Sequence, residues 1–245
     1  IRVKSIFIKE INSFFFFFIG NIAILIFLFI TGILLWFIPS YSILNYGFSS
    51  MEMLFSLAPI LFLFIIPAIT MRSFAEEKSN GTIELLFTKP LTDIEIVLGK
   101  YLASLFIVFI ALVPTIVYYI SIYQLGLPKG NIDTGGVIGS YIGLLFLGSV
   151  FTAVGIFCSA ITSSQIVAFL FAALFSALLY WGFDLLSGFD FMEGSIETFI
   201  QKFGIASHYD SISRGIVDTR DVLYFLSLNA IFILFSATAL ESRKW

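Results

Sequence analysis

Six segments of this chain are long and apolar enough to cross a lipid bilayer as helices. A helix rises about 1.5 Å per residue, so about 20 apolar residues cross a hydrocarbon core of about 30 Å. The predicted membrane helices cover residues 14–37, 53–71, 101–125, 137–160, 166–186 and 222–240. The chain is 59% hydrophobic and 12% charged, a balance that a water-soluble domain of 245 residues does not need. We therefore expect an all-α integral membrane protein that forms a single transmembrane domain over residues 1–245.

Basic residues predict the orientation of these helices, because Lys and Arg cross the membrane poorly during insertion. Nine of them fall on one side of the six-helix arrangement: Arg2, Lys4, Lys9, Arg72, Lys78, Lys89, Lys100, Arg243 and Lys244. The other side receives Lys129, Lys202, Arg214 and Arg220. Both termini and the loop 72–100 are therefore predicted to be cytoplasmic, and the loop 187–221 external. The cytoplasmic membrane of a bacterium is the expected location.

Two amphipathic segments flank the predicted bundle. The first lies ahead of the first membrane helix, where apolar residues recur at helical spacing at Val3, Phe7, Ile11 and Phe14. It predicts an N-terminal helix in the headgroup plane, although a simple basic anchor is the alternative. The second lies in the external loop, where Ile196, Phe199, Ile200 and Phe203 predict a short helix that packs against the bundle.

The chain is poor in residues that could perform catalysis or coordinate a metal. Asp184 is the one ionisable side chain within the predicted helices, near the end of its helix, and we expect a structural role for it. His208 is the only histidine, while a zinc site needs three or four clustered ligands. No phosphate-binding GxxxxGK[ST] motif is present. We therefore expect no catalytic residue, no bound cofactor and no metal on this chain, and no binding of nucleic acid.

A pair of glutamates, Glu76 and Glu77, resembles the glutamate pair of intramembrane CAAX-type proteases. Those proteases require an arginine four residues after the second glutamate, where this chain has Gly81, and they require histidines that it lacks. An intramembrane hydrolase is therefore the weakest of the functions considered.

The segment 72–100 is the polar stretch with the clearest local structure. Asn80 and Gly81 predict a turn, and a short amphipathic helix follows it and ends before Pro90. Thr92 is then expected to cap the next helix, with Glu95 completing a capping box. A short helix held between two rigid elements is suited to transmit force from a cytoplasmic partner; a merely solvated connector is the alternative.

This segment resembles the loop between helices two and three of ABC-2 type permeases. The similarity rests on the run Glu76, Glu77, Lys78, Gly81, Thr82, Ile83, Glu84, Leu85, Leu86, Pro90, Leu91, Gly99 and Lys100. In that family the short helix is a coupling helix, which docks in a groove of the ATPase subunit. The resemblance implies that the ATPase contacts Glu76, Glu77, Gly81, Thr82, Ile83, Glu84, Leu85, Leu86, Phe87 and Pro90. It also implies an ATP-driven exporter whose ATP and magnesium are bound by a separate chain.

The second half of the chain is similar to the permeases of gliding-motility ABC transporters. The similarity lies in the segment from Leu127 to Phe169, in the segment that begins at His208, and in the final SRKW. It implies a cytoplasmic ABC ATPase and a second permease or an auxiliary membrane subunit as partners. Two alternatives stay open: an ABC-2 permease for lipid, polysaccharide or drug export, and a membrane scaffold that transports nothing.

Overall fold

The computed structural model describes residues 2–16, 18–43, 49–88, 90–187 and 201–242. All regular structure in these ranges is helical. The helices are α1 (Arg2–Phe16), α2 (Phe18–Trp36), α3 (Glu52–Thr70), α4 (Arg72–Ser79), α5 (Ile83–Phe87), α6 (Asp93–Leu112), α7 (Ile116–Leu125), α8 (Thr134–Ile161), α9 (Gln165–Ser187), α10 (Ile205–Ser213) and α11 (Thr219–Glu241).

Five helical stretches are long and apolar enough to cross a membrane. They are Glu52–Ser79, Asp93–Leu125, Thr134–Ile161, Gln165–Ser187 and Thr219–Glu241. A sixth results if α1 and α2 are taken together as one bent span. The protein is therefore an all-α integral membrane protein, as its sequence predicts.

Helix α8 forms the centre of the bundle and packs against α3, α4, α6, α9, α10 and α11. Its sequence is rich in glycine, alanine and serine, which let neighbouring helices approach closely inside a membrane. One such close approach is at Gly155, where a Cβ atom would lie 2.8 Å from Cβ of Thr70 on α3. The small residues of α8 therefore explain why it can contact so many helices at once.

The first membrane helix begins later than the sequence predicts. Residues Phe14 to Phe16 belong to α1, and α2 begins at Phe18 rather than at Phe14. The axes of α1 and α2 differ in direction by 67°. One face of α1 packs on α6, where Ile6 is buried beside Gly99, so α1 is held by the protein as well as by any membrane surface. A run of identical phenylalanines carries no periodicity that could locate this bend.

The breaks between the other helices follow local chemistry. Pro114 lies in a 3-10 turn, Val113–Thr115, that separates α6 from α7, whereas α3 continues through both Pro59 and Pro67. The short break after Ile161 separates α8 from α9, and it falls between the predicted helices 137–160 and 166–186. Most of the amphipathic stripe predicted at 196–203 lies outside the described residues.

His208 is partly buried, with a side chain that is 19% exposed. Its Nδ1 lies 2.7 Å from a carboxylate oxygen of Asp221, and its Nε2 lies 2.8 Å from the carbonyl oxygen of Lys202. The ring also stacks on Tyr224. The histidine therefore joins α10 to the first turn of α11.

Candidate functional site

The candidate site is the segment from Arg72 to Lys100, which we call the coupling loop. It consists of α4, a turn, α5, a short extended stretch and the first two turns of α6. Because α4 follows α3 after a single residue and α6 belongs to a membrane helix, both ends of the loop are joined directly to the bundle.

The turn between α4 and α5 is a Schellman motif. The amide of Thr82 donates to the carbonyl of Glu77 at 2.9 Å, and the amide of Gly81 donates to the carbonyl of Lys78 at 3.2 Å. Gly81 has a φ of +68°, in the left-handed region that glycine adopts at low cost. The turn predicted at Asn80 and Gly81 is therefore confirmed, and its backbone geometry sets the direction of α5.

The start of α6 carries the predicted capping box. The hydroxyl of Thr92 accepts a hydrogen bond from the amide of Glu95 at 3.3 Å, and the Glu95 carboxylate accepts one from the amide of Thr92 at 2.9 Å. Asp93 lies in the same first turn, where a negative charge is favourable. The second boundary of the loop is therefore fixed by local hydrogen bonds.

The end of α8 holds α4 in place. The hydroxyl oxygen of Ser159 accepts hydrogen bonds from the amides of Phe74 at 2.9 Å and Ala75 at 3.0 Å, and it donates to the carbonyl of Met71 at 3.0 Å. The ammonium group of Lys78 also donates to the carbonyl of Ala160. Helix α4 is thus bound at its first turn and near its end to the central helix of the bundle.

The two glutamates of the motif have different partners. Glu76 accepts two hydrogen bonds from the guanidinium of Arg72 on the same helix, at 2.7 and 2.8 Å. Glu77 instead pairs with Lys9 at 2.9 Å and with Lys100 at 3.0 Å. Glu76 therefore stabilises α4 alone, while Glu77 joins α4 to α1 and α6.

Lys100 is the centre of a charged cluster that sequence reasoning did not find. Its side chain is 1% exposed, and its ammonium group contacts Glu10 at 2.9 Å and the carbonyl of Ser73 at 2.6 Å. The ammonium also lies 4.9 Å from the centre of the Phe74 ring. A cavity of about 260 Å³ beside the cluster is lined by these charged side chains. The neighbouring Gly99 is the one sign in the sequence that α1 packs closely on α6 here, because a Cβ at this position would lie 2.7 Å from Ile6 of α1.

Helix α5 turns part of its apolar face toward the bundle. Leu86 is buried and joins a cluster that includes Phe74, Ile96 and Val97, and Ile83 is half-buried against the same cluster. A buried Leu86 is not accessible to a partner, which differs from the contact that the family resemblance implies for it. The side chains of Leu85 and Phe87 lie outside the described residues.

The turn and α5 expose small or polar residues. Gly81, Thr82, Glu84, Thr88 and Pro90 are all exposed, and they lie on the turn, on α5 and directly after it. Eight of the ten predicted contact residues have side chains that the structure describes, and Gly81, Thr82, Glu84 and Pro90 are the exposed ones among these eight. Glu76 and Glu77 are held in ion pairs. Within the described ranges, no group of three His, Cys, Asp or Glu residues could hold a metal ion.

Comparison with known proteins gives one result that covers most of the chain. No curated protein matches the sequence. Residues 38–235 match the profile of the ABC-2 family transporter proteins. This match includes α3 to α10, the whole coupling loop and most of α11, and the chain is therefore a member of the ABC-2 transporter family, the transmembrane components of ABC transporters.

Proposed function

We propose that this permease docks an ABC ATPase on the exposed part of the coupling loop and couples ATP hydrolysis on that partner to export of a substrate. The observation that carries the proposal is the arrangement of α5. Its polar residues, Thr82, Glu84 and Thr88, are exposed, while Leu86 packs inward on the bundle. A partner that pushes on this surface acts on a short helix that already rests on the membrane helices.

The anchoring of the loop supports transmission of force. Helix α5 contacts α4, and movement of α4 is passed to α8 through Ser159 and to α1 and α6 through Glu77 and Lys100. Packed helices and ion pairs of this kind move as units rather than deform continuously. In this proposal Glu76, Glu77 and Leu86 position the docking surface, and Gly81, Thr82, Glu84 and Pro90 touch the ATPase.

The finer assignment rests on the resemblance of the second half of the chain. We infer that the protein is a GldF-like permease in the inner membrane of a bacterium, with both termini cytoplasmic. Its partners are then a GldA-like ATPase and a GldG-like auxiliary membrane subunit or a second permease, and ATP and magnesium are bound on the ATPase. Transport by this complex supports gliding motility, and α1 lies at the cytoplasmic surface of the membrane, as its 67° angle to α2 suggests.

The experiment that tests docking is co-purification of the ATPase with the permease after a charge reversal, Glu84→Lys. Glu84 is exposed, so the permease itself should fold normally. We expect the recovered ATPase to fall about tenfold, which corresponds to the loss of one or two good contacts in a small interface. Glu241→Lys is the matched control, because Glu241 is an exposed acid at the same end of the bundle, and it should retain the ATPase.

Equal recovery of ATPase with Glu84→Lys and with Glu241→Lys would show that α5 is not the docking surface. Transport is tested separately by ATP turnover in reconstituted complexes. An exporter predicts that Glu84→Lys lowers turnover together with binding, whereas a scaffold predicts turnover that is independent of the permease.

A further inference from the structure

A polar vestibule lies at the end of the bundle opposite the coupling loop. It has a volume of about 550 Å³ and is formed by the starts of α3 and α8, the second half of α9, and α10. This volume falls within the range of about 300 to 1,000 Å³ that is usual for small-molecule sites. The start of α3 is 19 residues from its other end, so this vestibule and the coupling loop lie on opposite membrane surfaces.

The vestibule has an excess of negative charge. Among the described residues, three carboxylates line it, those of Glu52, Asp133 and Asp210, against one guanidinium, that of Arg214. The Asp133 carboxylate caps α8 by accepting a hydrogen bond from the amide of Gly136 at 3.0 Å. Glu52, Asp210 and Arg214 take part in no ion pair within the part of the chain that the structure describes. Two carboxylates are therefore available to a ligand.

Tyr180 supplies a second and independent sign of a ligand. Its side chain is 8% exposed and lines the vestibule from α9, yet its hydroxyl has no hydrogen-bond partner among the described residues. The ring is buried, while the hydroxyl oxygen is not among the fully enclosed, unpartnered atoms of the described residues and is therefore open to the vestibule. The neighbouring Tyr209 differs, because its hydroxyl donates to the carbonyl of Phe55 at 2.7 Å. The Tyr180 hydroxyl is thus left for a group that enters the vestibule.

The aromatic rings around Tyr180 add to the negative potential. The rings of Tyr180 and Tyr209 lie 6.4 Å apart at an angle of 57°, and both side chains line the vestibule. The faces of aromatic rings attract cations, most strongly when water is excluded. Partial burial also raises the pKa of the Asp210 carboxyl, and Arg214 lowers it in part, while the residue keeps an exposed side that a ligand can reach.

We propose that this vestibule binds a ligand through an ammonium group, with Glu52 and Asp210 as its counter-charges and the Tyr180 hydroxyl and ring in contact with it. An ammonium group matches all three features, because it satisfies unpaired carboxylates, donates to or packs beside a phenol oxygen, and is attracted to aromatic faces. Arg214 at the rim disfavours a second positive charge, so the ligand carries a single cationic group or is a zwitterion.

Choline is the probe, and 3,3-dimethylbutan-1-ol, its uncharged carbon isostere, is the matched ligand control. Binding to the full chain in lipid nanodiscs is measured by calorimetry or by the fluorescence of Trp181, whose ring lies 5.3 Å from that of Tyr180. Choline has no N–H group, so its trimethylammonium packs against the Tyr180 oxygen and ring without donating a hydrogen bond. We expect choline to bind at least about tenfold more tightly than the isostere, because only choline is charged. Asp210→Asn and Glu52→Gln should each weaken choline binding about tenfold, and Tyr180→Phe, which removes the partial negative charge of the phenol oxygen, about fivefold.

Asp218→Asn is the matched protein control. Asp218 is an exposed acid near the same end of the bundle whose capping of α11 an asparagine can replace, so choline binding should be unchanged. Arg214→Gln should tighten binding. Equal affinity for choline and its isostere, or full retention of binding by Tyr180→Phe together with Asp210→Asn, would overturn the proposal.

Two sources of the ammonium group are then separated. Nanodiscs with the same fraction of phosphatidylglycerol are compared, with phosphatidylethanolamine as the remaining lipid in one set and an uncharged glycolipid in the other, so that the surface charge that attracts choline is equal. If a lipid headgroup is the natural ligand, phosphatidylethanolamine should raise the apparent dissociation constant of choline at least threefold by competition. If the ligand is a soluble amine, the two lipid compositions should give the same constant. These measurements are independent of ATPase docking, so either proposal can fail without the other.

Discussion

The ammonium group of Lys100 lies 2.9 Å from the carboxylate of Glu10, although the two residues are 90 positions apart in the sequence. This contact joins the N-terminal helix α1 to the start of α6, and the same ammonium contacts Glu77 of α4 at 3.0 Å. One buried cation therefore holds together the three helices that surround the base of the coupling loop.

Replacement of this cation should destabilise the protein strongly. Lys100→Met keeps the length of the side chain but leaves both Glu10 and Glu77 with Lys9 alone, and the Lys9 side chain is 56% exposed. Removal of one partner from a buried ion pair costs about 3 kcal/mol or more. We expect a clear fall in the thermal unfolding temperature of the purified complex, whereas Lys4→Met, at an exposed position of α1, should leave it unchanged. Identical unfolding temperatures for the two variants would contradict a structural role of Lys100.

The hydroxyl of Ser159 should control the local stability of α4. In Ser159→Ala the amides of Phe74 and Ala75 lose their acceptor, and each unsatisfied buried amide costs about 1 to 3 kcal/mol. Hydrogen exchange should therefore become at least tenfold faster at these two amides. Ser163→Ala, at an exposed position between α8 and α9, serves as the control, and unchanged exchange in Ser159→Ala would show that α8 does not hold α4.

Because Gly81 has a left-handed backbone conformation, any side chain introduced at this position should destabilise the turn before α5. No atom lies within 4 Å of a Cβ built there, so Gly81→Ala tests the backbone alone, at a cost of about 1 to 2 kcal/mol. We expect ATPase binding to weaken by about tenfold or less, since α5 changes its direction or frays. Gly182→Ala is the contrasting variant, because Gly182 lies inside α9 with only Leu178 nearby, where alanine should stabilise the helix. Binding that is insensitive to Gly81→Ala would mean that the direction of α5 does not matter.

Two variants of Thr92 test whether the capping box stabilises the start of α6. Thr92→Ala removes the acceptor of the Glu95 amide and should cost about 1 kcal/mol, seen as faster hydrogen exchange in the first turn of α6. Thr92→Ser keeps the hydroxyl and should exchange as the natural protein does. If both variants exchange alike, the box does not stabilise this helix end.

Much of the coupling loop follows from local sequence. The capping box of Thr92 and Glu95, the glycine turn at Gly81 and the short helix between them depend on residues within a few positions of each other. Local hydrogen bonding and backbone preference suffice for such features. The membrane helices are predictable for the same reason, because their length and hydrophobicity are local properties of the chain.

Other features of the loop depend on distant partners. Glu76 and Glu77 are neighbours of the same chemical type, yet one pairs with Arg72 and the other with Lys9 and Lys100. Leu86 is one of several apolar residues on α5, and the sequence does not indicate that it is buried. Its burial results from packing against Phe74 and Ile96. In a membrane protein this ambiguity is greater, since lipid-facing and core-facing residues are equally apolar.

A bundle of membrane helices with a short capped helix in a polar loop follows from the amino-acid sequence, because hydrophobic length, capping and turn chemistry depend on neighbouring residues. Helix packing is needed to locate the start of α2, the two acids that Lys100 contacts, the exposed loop residues, and the vestibule that Tyr180, Glu52 and Asp210 line together. These residues come from helices far apart in the chain, and their proximity results from the packing of α3, α9 and α10 around the central α8.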